Sequence, residues 1–583
     1  MSQRSRKQKK WIIIILILVV ITYTLIVVDL IRTQLGDNLK SQRYSFDPRH
    51  YSRTLYAVRG NIFDRNLENP TILATSIPQW RVFLDSSMIT TNDATLYNVL
   101  TQWDELPEER IKIGLEKDSS NKYYILGKTT NREFADFLKT NSITRKCIGL
   151  ESTHVRIYPQ GNFLNPILGI VNSQGEPIFG FEYELNKYLC GTNGYVKGLA
   201  DARKNEIRQY RTEEVAPVNG CNVFLTISAP IQEKTEALLK EAIETNNAIR
   251  GWIIVQRPYT GEILAMASYP TYTRENYGQE DQELQRNYAT SWNFEPGSIM
   301  KAMIFSLGLN DNLYKTNDVF DCRPRDFFGY PLADHVNNEE TFASSLAKSS
   351  NRASSIIAMT STKERMEQYL KAYGFGQKTG IIRIGEEKGI MTSYKDWANI
   401  QHIRIAIGQG ISVTPIQMIG MYSTIANGGI RYKPYLVRQI QSPTGEIILE
   451  NKKEAVGRVI SEETAEIMRN LLVGVTDRSI GGTGRRAKIP GYTVAGKTGT
   501  AQKVINKKYS TTDYTASFVG FFPAENPEIT ILVGFDSPKP LHQGGTVAAP
   551  VFAELGKFIA DYLNIPKNDD RIHNPSNYID KNK

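Results

Sequence analysis

Cysteine is scarce in this chain of 583 residues. Cys147, Cys190, Cys221 and Cys322 are widely separated and none falls in a C-x-x-C pair, so structural zinc and dithiol redox chemistry lack suitably spaced ligands. Histidine is scarce as well, six in all, with none near Ser298 in sequence, and no G-x-S-x-G turn occurs. A Ser-His-Asp hydrolase of the α/β-hydrolase type is therefore not what the sequence suggests. No internal repeat is visible. No basic stripe marks a folded region, so the net charge of +9 does not read as a nucleic-acid footprint.

Acidic residues are missing from the N-terminus, where Arg4, Arg6, Lys7, Lys9 and Lys10 run into the uncharged stretch WIIIILILVVITYTLIVV at 11–28. Eighteen helical residues span roughly 27 Å, close to a bilayer core. A cleaved signal peptide would carry a shorter apolar region and a small-x-small site; here Asp29, Leu30, Ile31 and Arg32 follow. Residues 1–10 therefore read as a cytoplasmic tail and 11–31 as an uncleaved single-pass anchor, with the remainder outside. That location permits disulfides, in three pairings, but a domain this large does not need them, and buried free thiols are the alternative.

The length exceeds one compact core, and 41% hydrophobic with 22% charged residues is ordinary for globular protein. Residues 32–220 are mixed and punctuated by Gly, Pro and Asn, with β-like runs at 54–58 and 80–84 and a helical stretch at 132–139. They read as an irregular α+β module. From 221 to 563 the texture changes. Strands are expected at 222–227, 251–256 and 261–268, a helix at 230–246, and a second strand group between about 492 and 535. This order predicts an α+β domain with helices on a mostly antiparallel sheet. Residues 564–583 read as a polar, disordered tail.

Chemistry concentrates at EPGSIMKAMIFSLGL, 295–309. Pro296 and Gly297 break the preceding structure and put Ser298 in a first helical turn, where free N–H groups favour developing negative charge. Lys301 lies one turn on, on the same face, and is the only charge on an otherwise nearly all-apolar helix. Burial should depress its ammonium pKa and supply a neutral amine to a serine nucleophile. Alone, Ser-x-x-Lys is weak: Ser119–Lys122 and Ser345–Lys348 also match it, Ser291 and Asn293 match Ser-x-Asn, and Lys-Thr-Gly recurs at 378–380 in a turn-rich loop read as structural. Context favours Ser349 and Asn351 at a helix end, and Lys497, Thr498, Gly499 and Thr500 in a strand whose Gly496 and Gly499 permit close approach by a ligand.

Ser298-x-x-Lys301, Ser349-x-Asn351 and Lys497-Thr498-Gly499, in this order, resemble the three motifs of penicillin-binding proteins and serine β-lactamases. Arg59-Gly60-Asn61-Ile62-Phe63-Asp64-Arg65-Asn66, Arg156-x-Tyr158-Pro159 and Gly180-Phe181-Glu182 resemble the non-catalytic module of class B penicillin-binding proteins. IGQGISVTPIQM (407–418) and VAGKTGTAQKV (494–504) resemble the cell-division more than the elongation branch. Departures are Leu-Glu-Asn-Pro after Asn66 and Gln256-Arg257-Pro258 at a later turn.

The resemblance implies a peptidoglycan D,D-transpeptidase: a pedestal, then a β-lactamase-like transpeptidase domain with a helical subdomain. Ser298 would attack the D-Ala-D-Ala carbonyl of a stem peptide and Lys301 take its proton. Ser349 would relay a proton and Asn351 hold the peptide. The N–H groups of Ser298 and Thr500 would form the oxyanion hole, and Lys497, Thr498 and Thr500 would line the carboxylate's position. Pleat alternation puts Lys497 opposite Thr498 and Thr500, so a shared ligand has to lie along an exposed sheet edge. No metal or organic cofactor is implied. β-Lactams would be covalent inhibitors; the membrane, a glycan polymerase and division proteins are implied partners, nucleic acid is not. The rivals are a carboxypeptidase or β-lactamase-type hydrolase and a catalytically silent division scaffold.

Overall fold

The computed structural model describes residues 3–44, 50–89, 91–116, 123–201 and 206–568. The Ser119–Lys122 match and most of the expected tail, 569–583, lie outside them. Helix α1 (Gln3–Tyr44) is uninterrupted and contains one window, Ile13–Arg32, long and apolar enough to cross a membrane. Two of its hydroxyls bond within the helix. Thr22 and Thr24 donate to the carbonyl oxygens of Leu18 and Val20 at 2.6 and 2.7 Å.

By its contacts the chain forms two compact units. In the first, Met1–Ala57 with Thr192–Asn219, strand His50–Leu55 pairs antiparallel with Gly194–Leu199, which pairs with Glu213–Val215. The second comprises Val58–Gly191 and Gly220–Lys583. A seven-stranded sheet runs through it in the order Ile447–Glu450, Val437–Gln441, Asn222–Leu225, Ile62–Phe63, Ile72–Leu84, Tyr124–Thr129, with Ile148–Ile157 also on Ile72–Leu84. The sheet thus takes strands from both sides of the module boundary expected at residue 220. Asn222–Leu225 pairs with Ile62–Phe63 on one side and Val437–Gln441 on the other.

The three segments singled out at 59–66, 156–159 and 180–182 meet at one buried carboxylate. Glu182, fully buried, accepts from Arg59 at 2.7 Å and Arg156 at 2.6 Å. Arg59 also donates to the Glu182 carbonyl oxygen, and Arg156 to that of Gly60. An interior carboxylate is tolerated only when so paired. The turn after Asn66, which lacks glycine, is closed by side chains instead. Asp64 accepts from the Thr71 N–H, and Asn66 from those of Glu68 and Asn69.

Beyond this, α2 (Ala229–Thr245) begins with Pro230 in its first turn. Strands β1 (Arg250–Gln256), β2 (Ile263–Tyr269), β3 (Ala495–Ile505), β4 (Lys508–Phe522) and β5 (Ile529–Asp536) form an antiparallel sheet ordered β2-β1-β5-β4-β3. β3 is an edge strand, as a strand-like ligand requires. Alternate residues of β1 serve two cores, which explains its unbroken apolar run. Trp252 and Ile254 pack with α3 (Lys301–Asn310), α4 (Phe342–Ala347), α5 (Asn351–Thr360) and α6 (Pro415–Ala426). Ile253 and Val255 pack with α2 and α7 (Ala549–Tyr562).

The start of the expected tail is ordered: Ile565 is buried, and Asn568 donates to Thr493 and Glu525. All four cysteines are free thiols, Cys147 and Cys322 buried and Cys190 exposed.

Candidate active site

Ser298 sits in a 3₁₀ turn, Gly297–Met300, that feeds directly into α3, and Pro296 stands just before it. The turn is pinned from two sides. The Gly297 N–H donates to the Gly408 carbonyl oxygen at 2.9 Å. At φ +55°, Gly297 also lies so close to β3 that a Cβ on it would stand 3.0 Å from the Ala501 Cβ. Gly408 is held as tightly: a Cβ there would lie 2.0 Å from the Gly297 carbonyl oxygen.

Lys301, the first residue of α3, is fully buried. Its Nζ donates to the Ser349 carbonyl oxygen at 2.5 Å, the Asn351 Oδ1 at 2.6 Å and the Ser349 Oγ at 3.2 Å. Burial pulls its pKa down to about 7, against the opposing pull of the Asp334 carboxylate. Ser349 lies between α4 and α5 in the left-handed region, φ +63°. A non-glycine residue held there is strained, and such strain gathers at functional sites. Ser350 caps α5, and Asp334 accepts from both its hydroxyl and the Arg352 N–H at 2.7 Å. The segment is thereby fixed against Lys301.

Lys497, in β3, is also fully buried and donates to the Thr498 carbonyl oxygen at 3.3 Å. Burial holds its pKa well below the usual lysine range, and the nearby Lys301 charge adds to the effect. Thr498 and Thr500 face the cleft. The Thr498 hydroxyl shares a 2.8 Å hydrogen bond with that of Thr483, and the Thr500 hydroxyl accepts from the Gly544 N–H at 3.1 Å. The two glycines also have a packing role. A Cβ at Gly499 would lie 2.3 Å from Ser517 Oγ and 3.2 Å from the Pro296 carbonyl oxygen, and one at Gly496 would meet Phe518 at 2.7 Å. The protein's own packing fills both spaces, because β3 must lie directly under the Ser298 turn.

Ser298, Ser349, Asn351, Thr498 and Thr500 line one cleft of about 400 Å³. Lys301 and Lys497 lie buried around it, and Gly499 supports it from below. His335, Arg485 and Arg486 also line it. Sequence reasoning missed all three; the Arg-Arg pair in a glycine-rich stretch was the only signal. The other motif matches have structural duties. Lys348 pairs with Glu340 at 2.6 Å, Ser291 donates to the Asn287 carbonyl oxygen, and the Thr379 and Gly380 N–H groups are held by Glu386.

The family description "Penicillin binding protein transpeptidase domain" matches residues 251–557, more than half of the chain. The chain belongs to this family. A second description, "Penicillin-binding Protein dimerisation domain", matches residues 54–177. This penicillin-binding protein is 31% identical to stage V sporulation protein D of Bacillus subtilis, over 93% of its own length and 82% of the relative's. It is 30% identical to peptidoglycan D,D-transpeptidase FtsI of Buchnera aphidicola, over 94% of each. Among solved structures, penicillin-binding protein 3 of Mycobacterium tuberculosis, complexed with aztreonam, is 26% identical with a TM-score of 0.68, covering 89% of this chain and 98% of that one. The mixed α+β fold of this penicillin-binding protein is thus that of a transpeptidase on a pedestal.

Proposed function

We propose that the chain is a serine D,D-transpeptidase that cross-links peptidoglycan stem peptides through an acyl-enzyme on Ser298. The observation that carries this reading is a buried amine, Lys301, bonded to Ser349 and Asn351 and lying one helical turn from a serine that opens on the cleft. With its pKa near 7, Lys301 is largely neutral at physiological pH and can take the Ser298 proton as Oγ attacks the carbonyl between two D-alanines. The Ser298 and Thr500 N–H groups stabilise the oxyanion. Ser349 passes the proton on to the departing D-alanine nitrogen. Asn351 holds the peptide, and the donor peptide lies along the open edge of β3 beside Thr498 and Thr500. An amine of a neighbouring stem peptide then displaces Ser298. β-Lactams stop at the acyl-enzyme, consistent with the aztreonam complex of the relative.

The apolar helix anchors the chain in the cytoplasmic membrane of a bacterium, basic end inside and catalytic region outside. A septal role, beside a glycan polymerase and division proteins, is supported by similarity to FtsI-named relatives. Fluorescent penicillin on the protein from residue 33 onward, compared with Ser298→Ala, tests the chemistry. A stable adduct lost only in the variant is expected. An adduct that forms and quickly hydrolyses would make the protein a hydrolase, and no adduct on folded protein would make it a scaffold. A fluorescent fusion spread evenly along the cell wall, rather than gathered at midcell, would remove the septal assignment.

A further inference from the structure

A stem peptide ends in a carboxylate, and the two lysines of the motifs are badly placed to neutralise it. Lys301 is committed to Ser349 and Asn351. Lys497, in β3, is fully buried and donates to a backbone carbonyl oxygen. Among the described residues the cleft lining contains no Asp or Glu, yet it contains Arg485 and Arg486, both exposed. They occupy one short 3₁₀ turn, Arg485–Ala487, whose Ala487 is buried in the core against α7. Among the described residues neither guanidinium pairs with a carboxylate, and Arg486 only grazes the Thr546 carbonyl oxygen at 3.4 Å. Two cations without a carboxylate partner in the wall of a cleft attract an anion.

The neighbouring hydroxyls complete the receptor. Thr483, just before the turn, and Thr498 share one proton between them, so one hydroxyl hydrogen of the pair stays available. Thr500 accepts from the Gly544 N–H, which leaves its own hydrogen free to donate. Hydroxyl donors and planar guanidinium forks are the donors a carboxylate takes best. We propose that Arg485 and Arg486 add a cationic arm to the carboxylate position lined by Thr498 and Thr500, and bind the terminal carboxylate of the donor peptide there. This rests on the transpeptidase reading and names its substrate-specificity residues.

The test compares acylation by benzylpenicillin, whose carboxylate mimics that terminus, with acylation by its uncharged methyl ester. In the wild type the acid should react faster than the ester, and added salt should narrow the gap. In Arg485→Gln/Arg486→Gln the second-order constant for the acid should fall about tenfold, the size of one charge-assisted hydrogen bond. The ester constant and Tm should stay unchanged, so that the acid-to-ester ratio collapses. The Lys/Lys variant should recover part of the ratio. Equal losses on both reagents, or no loss on the acid, would overturn the assignment. Failure of the wild type to be acylated at all would overturn the transpeptidase reading, and this one with it.

Discussion

The chemistry turns on single side chains whose protonation is set by burial. Lys301 loses its charge near pH 7 because burial removes bulk water from the ammonium, and the oxygens around its Nζ with the pull of Asp334 do not make up the loss. Acylation by penicillin should therefore rise with pH through about 7 and level off above it; a rate independent of pH between about 5.5 and 8.5 would remove the amine as base. The same shift has a stability cost of definite sign. The folded pKa lies below the ordinary value of 10.5, so between about pH 7 and 10.5 the unfolded chain binds more protons. Stability should rise with pH across that window, by up to about 1.4 kcal/mol per pH unit. Lys301→Met keeps the length and removes the amine. Acylation should fall by at least about 10²-fold while Tm drops by only a few degrees, because the Ser349 and Asn351 oxygens lose their donor but the apolar chain still fills the pocket. Normal acylation by a folded Lys301→Met protein would sink the role given to Lys301.

At the scale of elements, what the sequence reveals is local. The Ser298 turn, the helix at 230–246 and the two-sided apolar strand at 251–256 are each readable from a dozen or so neighbouring residues. Contacts between distant segments are not readable. Nothing near residue 250 announces that its strand also pairs with 529–536, and nothing near 182 shows that Glu182 neutralises Arg59 and Arg156. The packing role of the β3 glycines is hidden for the same reason: a Cβ at either would meet side chains or backbone of other segments. Glu182→Ala should strand two buried guanidiniums and cost about 3–5 kcal/mol in urea unfolding, with the acylation constant of the surviving folded fraction near wild type. A cost under about 1 kcal/mol would mean that the cluster is solvated. Gly408→Ala should act oppositely. Its Cβ would strike the Gly297 carbonyl oxygen, shift the nucleophile's turn and lower acylation about 10²-fold, the usual effect of an ångström's misplacement. Unchanged acylation would show that the turn yields without moving Ser298.

For the molecule as a whole, the sequence carries the order of its parts better than their borders. The apolar run and the three motif groups are legible because membrane insertion and acyl transfer constrain residue types directly. The border expected at 220 has a change of texture to mark it, yet a backbone sheet crosses it through Asn222–Leu225. Topology across the membrane can be checked with a group already in the chain. Cys190 is the exposed thiol of the four, whereas Cys147 and Cys322 are buried. If the N-terminal cations hold the start of α1 in the cytoplasm, Cys190 lies outside. A membrane-impermeant maleimide should then label it in intact spheroplasts, and Cys190→Ser should abolish most of the label. Labelling that appears only after lysis would put the catalytic region on the cytoplasmic side. No stem peptide of the wall could then reach Ser298, so this one measurement constrains the chemistry as well as the topology.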